Sequence, residues 1–285
     1  MSRRRGTLRT FAALAATCLA PGCSPFDAAP DGEVDGSADV RDAAAPDVLD
    51  GSVDAGACAN RALELDGTDD VADVPHDAVF DEFGPMTIEA WVYPTDTSRE
   101  VQIVSHNDYG AIQGFVLLII NRRIQFRFHG GGQGTAVNAG IVPENQWSHV
   151  AGVFDGSRIR AYLNGAGNGS TISLSKVDAY SGPLRIGGAA YSNNGFRFKG
   201  RIDEVRLSRV PRYTESTFAV PTAAFVVDQD TVALWHLDEP PGESDVRDET
   251  GAHDGSLGLT GGGTGTYPKR IDAPCVSEMR GAQGP

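Results

Sequence analysis

Between Gln146 and Gly165 the chain alternates its side chains with a period of two. Trp147, His149, Ala151 and Val153 fall on one side, and Ser148, Val150, Gly152 and Phe154 on the other; Ile159, Ala161 and Leu163 then alternate with Arg158, Arg160 and Tyr162. Successive side chains of a pleated strand point to opposite faces, so both runs are predicted to be strands. Asp155-Gly156 between them accepts positive φ at little cost and predicts a two-residue turn. Asn164-Gly165 gives a second such signal at the far end.

Further apolar runs, separated by turn residues, predict strands at 62–65, 86–93, 101–105, 115–120, 124–128, 184–186, 202–207 and 232–237. No stretch of ten residues keeps a helical period. Phe115 to Ile120 is continuously apolar, but six residues make a core strand and not a membrane span. Many short strands at this spacing predict a β-sandwich.

Six motifs stand in order along this region: L-E-L-D-G at 63–67, M-T-I-E-A-W-V-Y-P at 86–94, W-S-H-V-A at 147–151, Y-L-N-G at 162–165, L-R-I-G-G at 184–188 and F-K-G-R-I-D-E-V-R-L at 198–207. Together they resemble the landmarks of LamG-like domains, in the laminin G and concanavalin A-like lectin superfamily. The resemblance implies an all-β fold, an antiparallel β-sandwich of the jelly-roll, concanavalin A-like type. It would span residues 58–275 around a motif core at 86–208, with 276–285 as a disordered tail. T-V-A-L-W-H-L-D-E at 231–239, followed by D-E-T-G-A-H-D-G-S-L, is similar to a segment that often opens such domains, yet here it comes last. Jelly-roll ends lie side by side, so it can supply the same neighbouring strands from the other end.

Composition adds the setting. Arg3, Arg4, Arg5 and Arg9 precede an apolar stretch from Phe11 to Ala20, the layout of a secretory leader. The ending L-A-P-G-C resembles a bacterial lipobox, which would make Cys23 a lipidated first residue; Leu19 and Pro21 depart from the usual pattern, and ordinary leader cleavage with secretion is the alternative. A lipid on Cys23 with Ser24 after it would address the protein to the outer membrane. Residues 24–57 carry nine acids against Arg41 and are broken by Pro30, Gly32, Gly36 and Pro46, which predicts a disordered tether. Taking the leader's +4 and the tether's −8 from the chain's −14 leaves −10 on residues 58–285. An acidic domain argues against a nucleic-acid partner, and membrane contact would come only through the lipid. Cys58 and Cys275 remain, one at each end of the folded region; in an oxidising compartment a lone flanking pair reads as a disulfide.

The carboxylates define the candidate chemistry. Glycoside hydrolysis needs two carboxyl groups facing one cleft. Laminarinase-like relatives use E-x-D-x-E, and that pattern is absent from the folded region. Asp203 and Glu204 are adjacent, so strict alternation sends them to opposite faces, with Glu204 beside Arg206 as an ion pair and Asp203 inward beside Val205 and Leu207. LamG-like and pentraxin-like relatives often hold Ca²⁺ at a sheet rim. That resemblance implies Asp66 and Asp203 as ligands, with Asp69 and Asp70 as further ones. The alternative is that Asp66 caps its own turn and Asp203 accepts backbone N–H groups.

Three loops combine an aromatic ring with Gly and with Asn, Asp or Gln, the mixture a sugar site uses: 106–113 with Asn107, Asp108 and Tyr109, 129–134, and 191–196 with Tyr191, Asn193 and Asn194. Any hairpin loop also contains those residue types. Trp91, Trp147, Trp235 and His149 sit within strand motifs and read as structural. The expected function is a non-enzymatic, extracytoplasmic module tethered to the envelope, with a carbohydrate or protein ligand and Ca²⁺ as the candidate cofactor. A polysaccharide-acting hydrolase or lyase, or a purely structural envelope lipoprotein, are the alternatives.

Overall fold

The computed structural model describes residues 58–81, 84–108, 110–130, 133–171, 178–191, 196–258 and 267–279. Cys23 and the tether lie outside the described residues, as do Tyr109, Asn193 and Asn194.

The strands run in the order β1 (Arg61–Asp66), β2 (Ala72–Val74), β3 (Met86–Pro94), β4 (Val101–Asp108), β5 (Gln113–Ile120), β6 (Arg123–Gly130), β7 (Gln133–Ile141) and β8 (Ser148–Phe154). They continue with β9 (Arg158–Leu163), β10 (Ala166–Thr171), β11 (Leu184–Ile186), β12 (Lys199–Ser208), β13 (Thr231–Trp235), β14 (Asp245–Val246), β15 (Gly255–Leu257) and β16 (Lys269–Asp272). A 3-10 turn at Ala78–Asp81 and a helical turn, α1, at Val276–Met279 are the helical elements among the described residues. One antiparallel sheet has the order β10-β9-β8-β3-β12-β1-β16, with β13 also on β12; the other has the order β14-β15-β2-β11-β4-β5-β6-β7. Together they form the expected sandwich.

Each sheet contributes the inward half of its alternation to a shared core. Ile88, Ala90 and Val92 of β3 and Val150 and Phe154 of β8 meet Phe115, Leu117 and Ile119 of β5 and Ile124, Phe126 and Phe128 of β6. Gly152 is what lets Phe126 reach the first sheet, because a Cβ there would lie 2.3 Å from the ring. The predicted hairpin forms with a shifted turn. Phe154 faces Ile159, so Gly156-Ser157 are the central residues instead of Asp155-Gly156; Gly156 alone takes positive φ, at 94°. Asp155 Oδ1 accepts the Ser157 and Arg158 N–H groups and holds the turn. Asn164-Gly165 closes the second turn with both residues left-handed, as expected, and β10 returns along β9.

β12 organises the first sheet. β3 lies along one edge, while β1 takes Lys199–Ile202 and β13 takes Val205–Ser208 on the other. Between them Glu204 adopts φ of 52° and the β3 register slips between Asp203 and Arg206, a β-bulge. The bulge resets the alternation. Ile202 faces Val92 in the core, Asp203 faces Trp91 on the outer side, and beyond the bulge Arg206 faces Glu89 outside while Leu207 faces Ile88 inside. The expected sharing of one face by Asp203, Val205 and Leu207 is therefore overturned.

That outer side is covered. Trp91, Trp147 and Leu234 pack with Val220, Phe225, Val276 and Met279, and Ala151, Val153 and Tyr162 pack with Tyr213 and Phe218. The segment 209–230 thus lies over the first sheet, which explains why β8 is buried on both faces. The C-terminal region strengthens both sheets: β13 extends the first, and β15 pairs with β2 in the second. β16 pairs with β1, and Cys58 and Cys275 are joined in a disulfide with Cα atoms 5.9 Å apart. Order runs past residue 275, where a disordered tail was expected to begin, because Val276 and Met279 bury their side chains in the outer cluster.

Candidate functional site

The acidic rim lies where β1 ends. Gly67, with φ of 80°, turns the chain, and Asp66 Oδ1 accepts the Thr68 N–H at 2.7 Å, so Asp66 does cap its turn. Asp70 folds back and its Oδ2 accepts the Asp66 N–H at 2.9 Å. Carboxylate oxygens of Asp66, Asp69 and Asp70 then lie within 4.8 Å of one another. Asp70 is 5% exposed, and its Oδ1 is buried without a partner. Burial chiefly pushes the Asp70 carboxyl up to about 6; the Asp66 N–H opposes the rise, and the charges of Asp66 and Asp69 add to it. A hard cation would supply the missing partner, so the three acids fit Ca²⁺ chemistry, with backbone or water oxygens needed to complete six to eight ligands. Lys199 and Lys269 share the cleft of about 440 Å³ beside the rim, and Tyr267 stands 59% exposed at its edge.

Asp203 does not join that rim. Asp66 faces Lys199 across β1 and β12, while Asp203 lies four residues further along β12 and is fully buried. Its Oδ2 accepts Asn60 Nδ2 at 2.9 Å and its Oδ1 the Glu204 N–H at 2.8 Å. Burial first, then the neighbouring charges of Glu204 and Asp238, push its carboxyl well above the ordinary range against the Asn60 hydrogen bond. Pairing with Arg206 was expected of Glu204; instead its Oε2 accepts the Phe225 N–H and its Oε1 lies 2.6 Å from His236 Nδ1. Arg206 donates to Glu89 from Nε at 3.0 Å and from Nη2 at 2.8 Å, and lies over the Phe225 ring. His149 and the Tyr213 hydroxyl contact the other Glu89 oxygen at 3.1 and 2.6 Å. Glu89 and Glu204 thus fasten segment 209–230 to the sheet, through Tyr213 and Phe225.

Of the expected ligand-loop residues, Asn107 is a fully buried strand residue of β4, and neither atom of its side-chain amide has a partner. Asp108 Oδ1 accepts the Gly110 and Ala111 N–H groups and so serves its own turn. Tyr191 is half-buried beside Phe196.

Of Gln125, Arg127 and His129, only His129 stood in an expected ligand loop, that at 129–134. They alternate with Ile124, Phe126 and Phe128 along β6 and therefore share the outer face of the second sheet. The alternation itself was the signal. A cleft of about 420 Å³ lies there, bounded by these three and by Ile112, Gly134 and Ala136.

Residues 66–216 match the laminin G domain family of the concanavalin A-like lectin/glucanases superfamily. A comparison with curated protein sequences gives no match. Among solved structures, a candidate carbohydrate-binding protein of Bacteroides ovatus is 20% identical with a TM-score of 0.54, over 76% of this chain and 62% of its own. This chain thus spans less than two thirds of that protein's length. The Ruminococcus gnavus IT-sialidase CBM40 bound to α2,3 sialyllactose is 14% identical with a TM-score of 0.45, over 55% of this chain and 95% of its own. Domains LG4-5 of the mouse laminin α1 chain are 15% identical with a TM-score of 0.42, over 57% of this chain and 47% of theirs.

Proposed function

The chain belongs to the concanavalin A-like lectin/glucanases superfamily, and from that membership we propose that it is a non-enzymatic, extracytoplasmic binding module for a glycan or protein ligand. The observation that carries this reading is the use of the buried acids on the first sheet. Glu89, Asp203 and Glu204 are each buried and held by donors of the chain's own. A glycosidase would instead direct two carboxyl groups, roughly 5–10 Å apart, at a substrate cleft. Glycan-array binding with reducing-sugar release assays tests the reading. Binding without turnover is expected; turnover abolished by Asp203→Asn or Glu204→Gln would overturn it in favour of a hydrolase.

Asp66, Asp69 and Asp70 are the residues that would hold Ca²⁺. The ion, when bound, would neutralise their mutual repulsion, and the carboxylates' own part is to fix the end of β1 against the turn that follows. Thermal melts test this: Ca²⁺ at millimolar concentration should raise the melting temperature relative to chelator, by RT ln(1 + [L]/Kd) in free energy, and Asp70→Asn should shrink the difference. Identical melts for both proteins would leave only the capping role.

The Cys58–Cys275 disulfide supports an oxidising, extracytoplasmic setting. Lipidation at Cys23 would tether the domain to the outer membrane through residues 24–57. Mass spectrometry of the mature N-terminus distinguishes a lipid-modified Cys23 from a leader cleaved elsewhere.

A further inference from the structure

The outer face of the second sheet carries polar groups that the sandwich does not require. The rows Ser105–Val116–Arg127 and Gln102–Leu118–Gln125 cross β4, β5 and β6 in register, so Gln102, Asn107, Gln125 and Arg127 lie on one face. Gln102 and Asn107 are fully buried there, and all four atoms of their side-chain amides lack partners. Neither lines the cleft, whose polar walls are Gln125, Arg127 and His129.

The cleft on the same face is open because its neighbours are small. Gly134 and Ala136 of the edge strand β7 lie beside His129 and Arg127. A Cβ built on Gly134 would be 3.5 Å from His129 Cε1, so any larger side chain there would sit over the imidazole. Ile112 at the cleft wall has φ of 55°. A β-branched residue in the left-handed region is an outlier that the surroundings must hold in place, and such strain concentrates at ligand sites.

We propose that this cleft is a subsite for a neutral sugar residue, seated against His129 and Gly134 and hydrogen-bonded by Gln125 and Arg127. The proposal rests on the glycan-binding reading above and gives it a place and a ligand class. Electrostatics select the class. Arg127 lies 3.4 Å from Glu100 and donates to Gln125 Oε1, so its charge is already balanced. His129 is neutral near pH 7, since burial, aided by the Arg127 charge, brings it down to about 4. A cleft without surplus positive charge suits hydroxyl groups better than a uronate or sialate carboxylate. Planar amide, guanidinium and imidazole groups supply the mixed donors and acceptors that vicinal hydroxyls require.

Calorimetric titration of the full chain tests this with cellohexaose, laminarihexaose and mannohexaose as neutral probes, and sialyllactose and a heparin hexasaccharide as acidic ones. At least one neutral probe should bind, and Gly134→Leu and Gln125→Ala should each weaken it tenfold or more, while the exposed Val226→Ser leaves it unchanged. Melting curves accompany each variant, and Gln125→Ala carries the test should Gly134→Leu melt lower. Neutral-probe binding unaffected by both cleft variants would overturn the placement and leave the module reading intact. Binding of acidic probes alone would overturn the ligand class. No binding of any probe would count against both the subsite and the glycan-binding reading, which a surviving protein ligand would then redefine.

Discussion

Asp203 and Glu204, neighbours in β12, turn both carboxylates to the same outer side of the first sheet, because the left-handed φ of Glu204 inserts a bulge where alternation would have separated them. Asp203 stands opposite Trp91 in the outer cluster, and Glu204 accepts the Phe225 N–H from that cluster's cover. Two adjacent acids on one buried side are costly, and the fold answers with Asn60 on one and His236 on the other.

The stability that the His236–Glu204 contact contributes should therefore be lost as pH rises through neutrality. The Glu204 hydrogen bond raises the His236 pKa above its ordinary 6.5, with burial opposing. A base whose folded pKa is raised contributes stability that is complete below its unfolded pKa and is lost as pH climbs through the folded one. Asp203 acts in the same sense, since it keeps its proton in the folded state at pH values where the unfolded carboxyl, near 4, has lost it. The stability advantage of wild type over His236→Gln should be larger at pH 6 than at pH 8.5, a comparison in which the buried His106 and His129, whose lowered pKa values act in the opposite sense, cancel. A difference between the two proteins that does not change with pH would refute the assignment.

Removing Glu89 should be among the most damaging single changes. Burial would raise its pKa, but the His149 hydrogen bond and charge, with Arg206 and Tyr213, carry it below the ordinary value. Glu89→Ala leaves Arg206 buried without its counter-charge and should cost about 3–5 kcal/mol. Tyr213→Phe removes one hydrogen bond to a charged group and should cost about 1.5–3 kcal/mol. Urea denaturation of both variants checks the ranking.

Gly152→Ala should destabilise by about 1–3 kcal/mol through overpacking, since the new methyl meets the Phe126 ring within the sandwich. Phe126→Leu in the same chain should recover part of that loss. Chemical denaturation of the single and double variants provides the comparison.

Breaking the disulfide should lower stability by up to about 5 kcal/mol in the chain-entropy estimate, because the bridge closes a sequence separation of 217 residues. The paired Cys58→Ser, Cys275→Ser variant should still show the far-ultraviolet spectrum of a β protein at room temperature. Its melting temperature should match that of wild type under reducing conditions.

The sandwich was legible in the sequence because its strands obey the period of two and their turns carry Asp-Gly or Asn-Gly. β10 was not, for Ala166–Thr171 is rich in glycine and offers no alternation; its pairing comes from the turn before it. β7 was hidden in the same way, since only Val137 and Ala139 of its nine residues point into the core. At the rim, Asp66 and Asp69 could be recognised from L-E-L-D-G-T-D-D. Asp203 was misplaced because a one-residue bulge leaves no mark in the pattern of apolar positions, yet inverts the face of everything before it relative to everything after. Asn107 was taken for a loop residue, although β4 extends through it to Asp108.

The pairing of β1 with both β12 and β16 determines how the domain bears load. β1 follows Cys58 within a few residues and lies between two antiparallel partners, whose hydrogen bonds run across the strand direction. A pull applied to the chain at Cys58 and resisted at the second sheet would stress those bonds together in shear, and the covalent link to Cys275 would divert part of the force around β16. Were the domain held through the chain before Cys58, tension would thus have to slide a whole strand before it could open the fold.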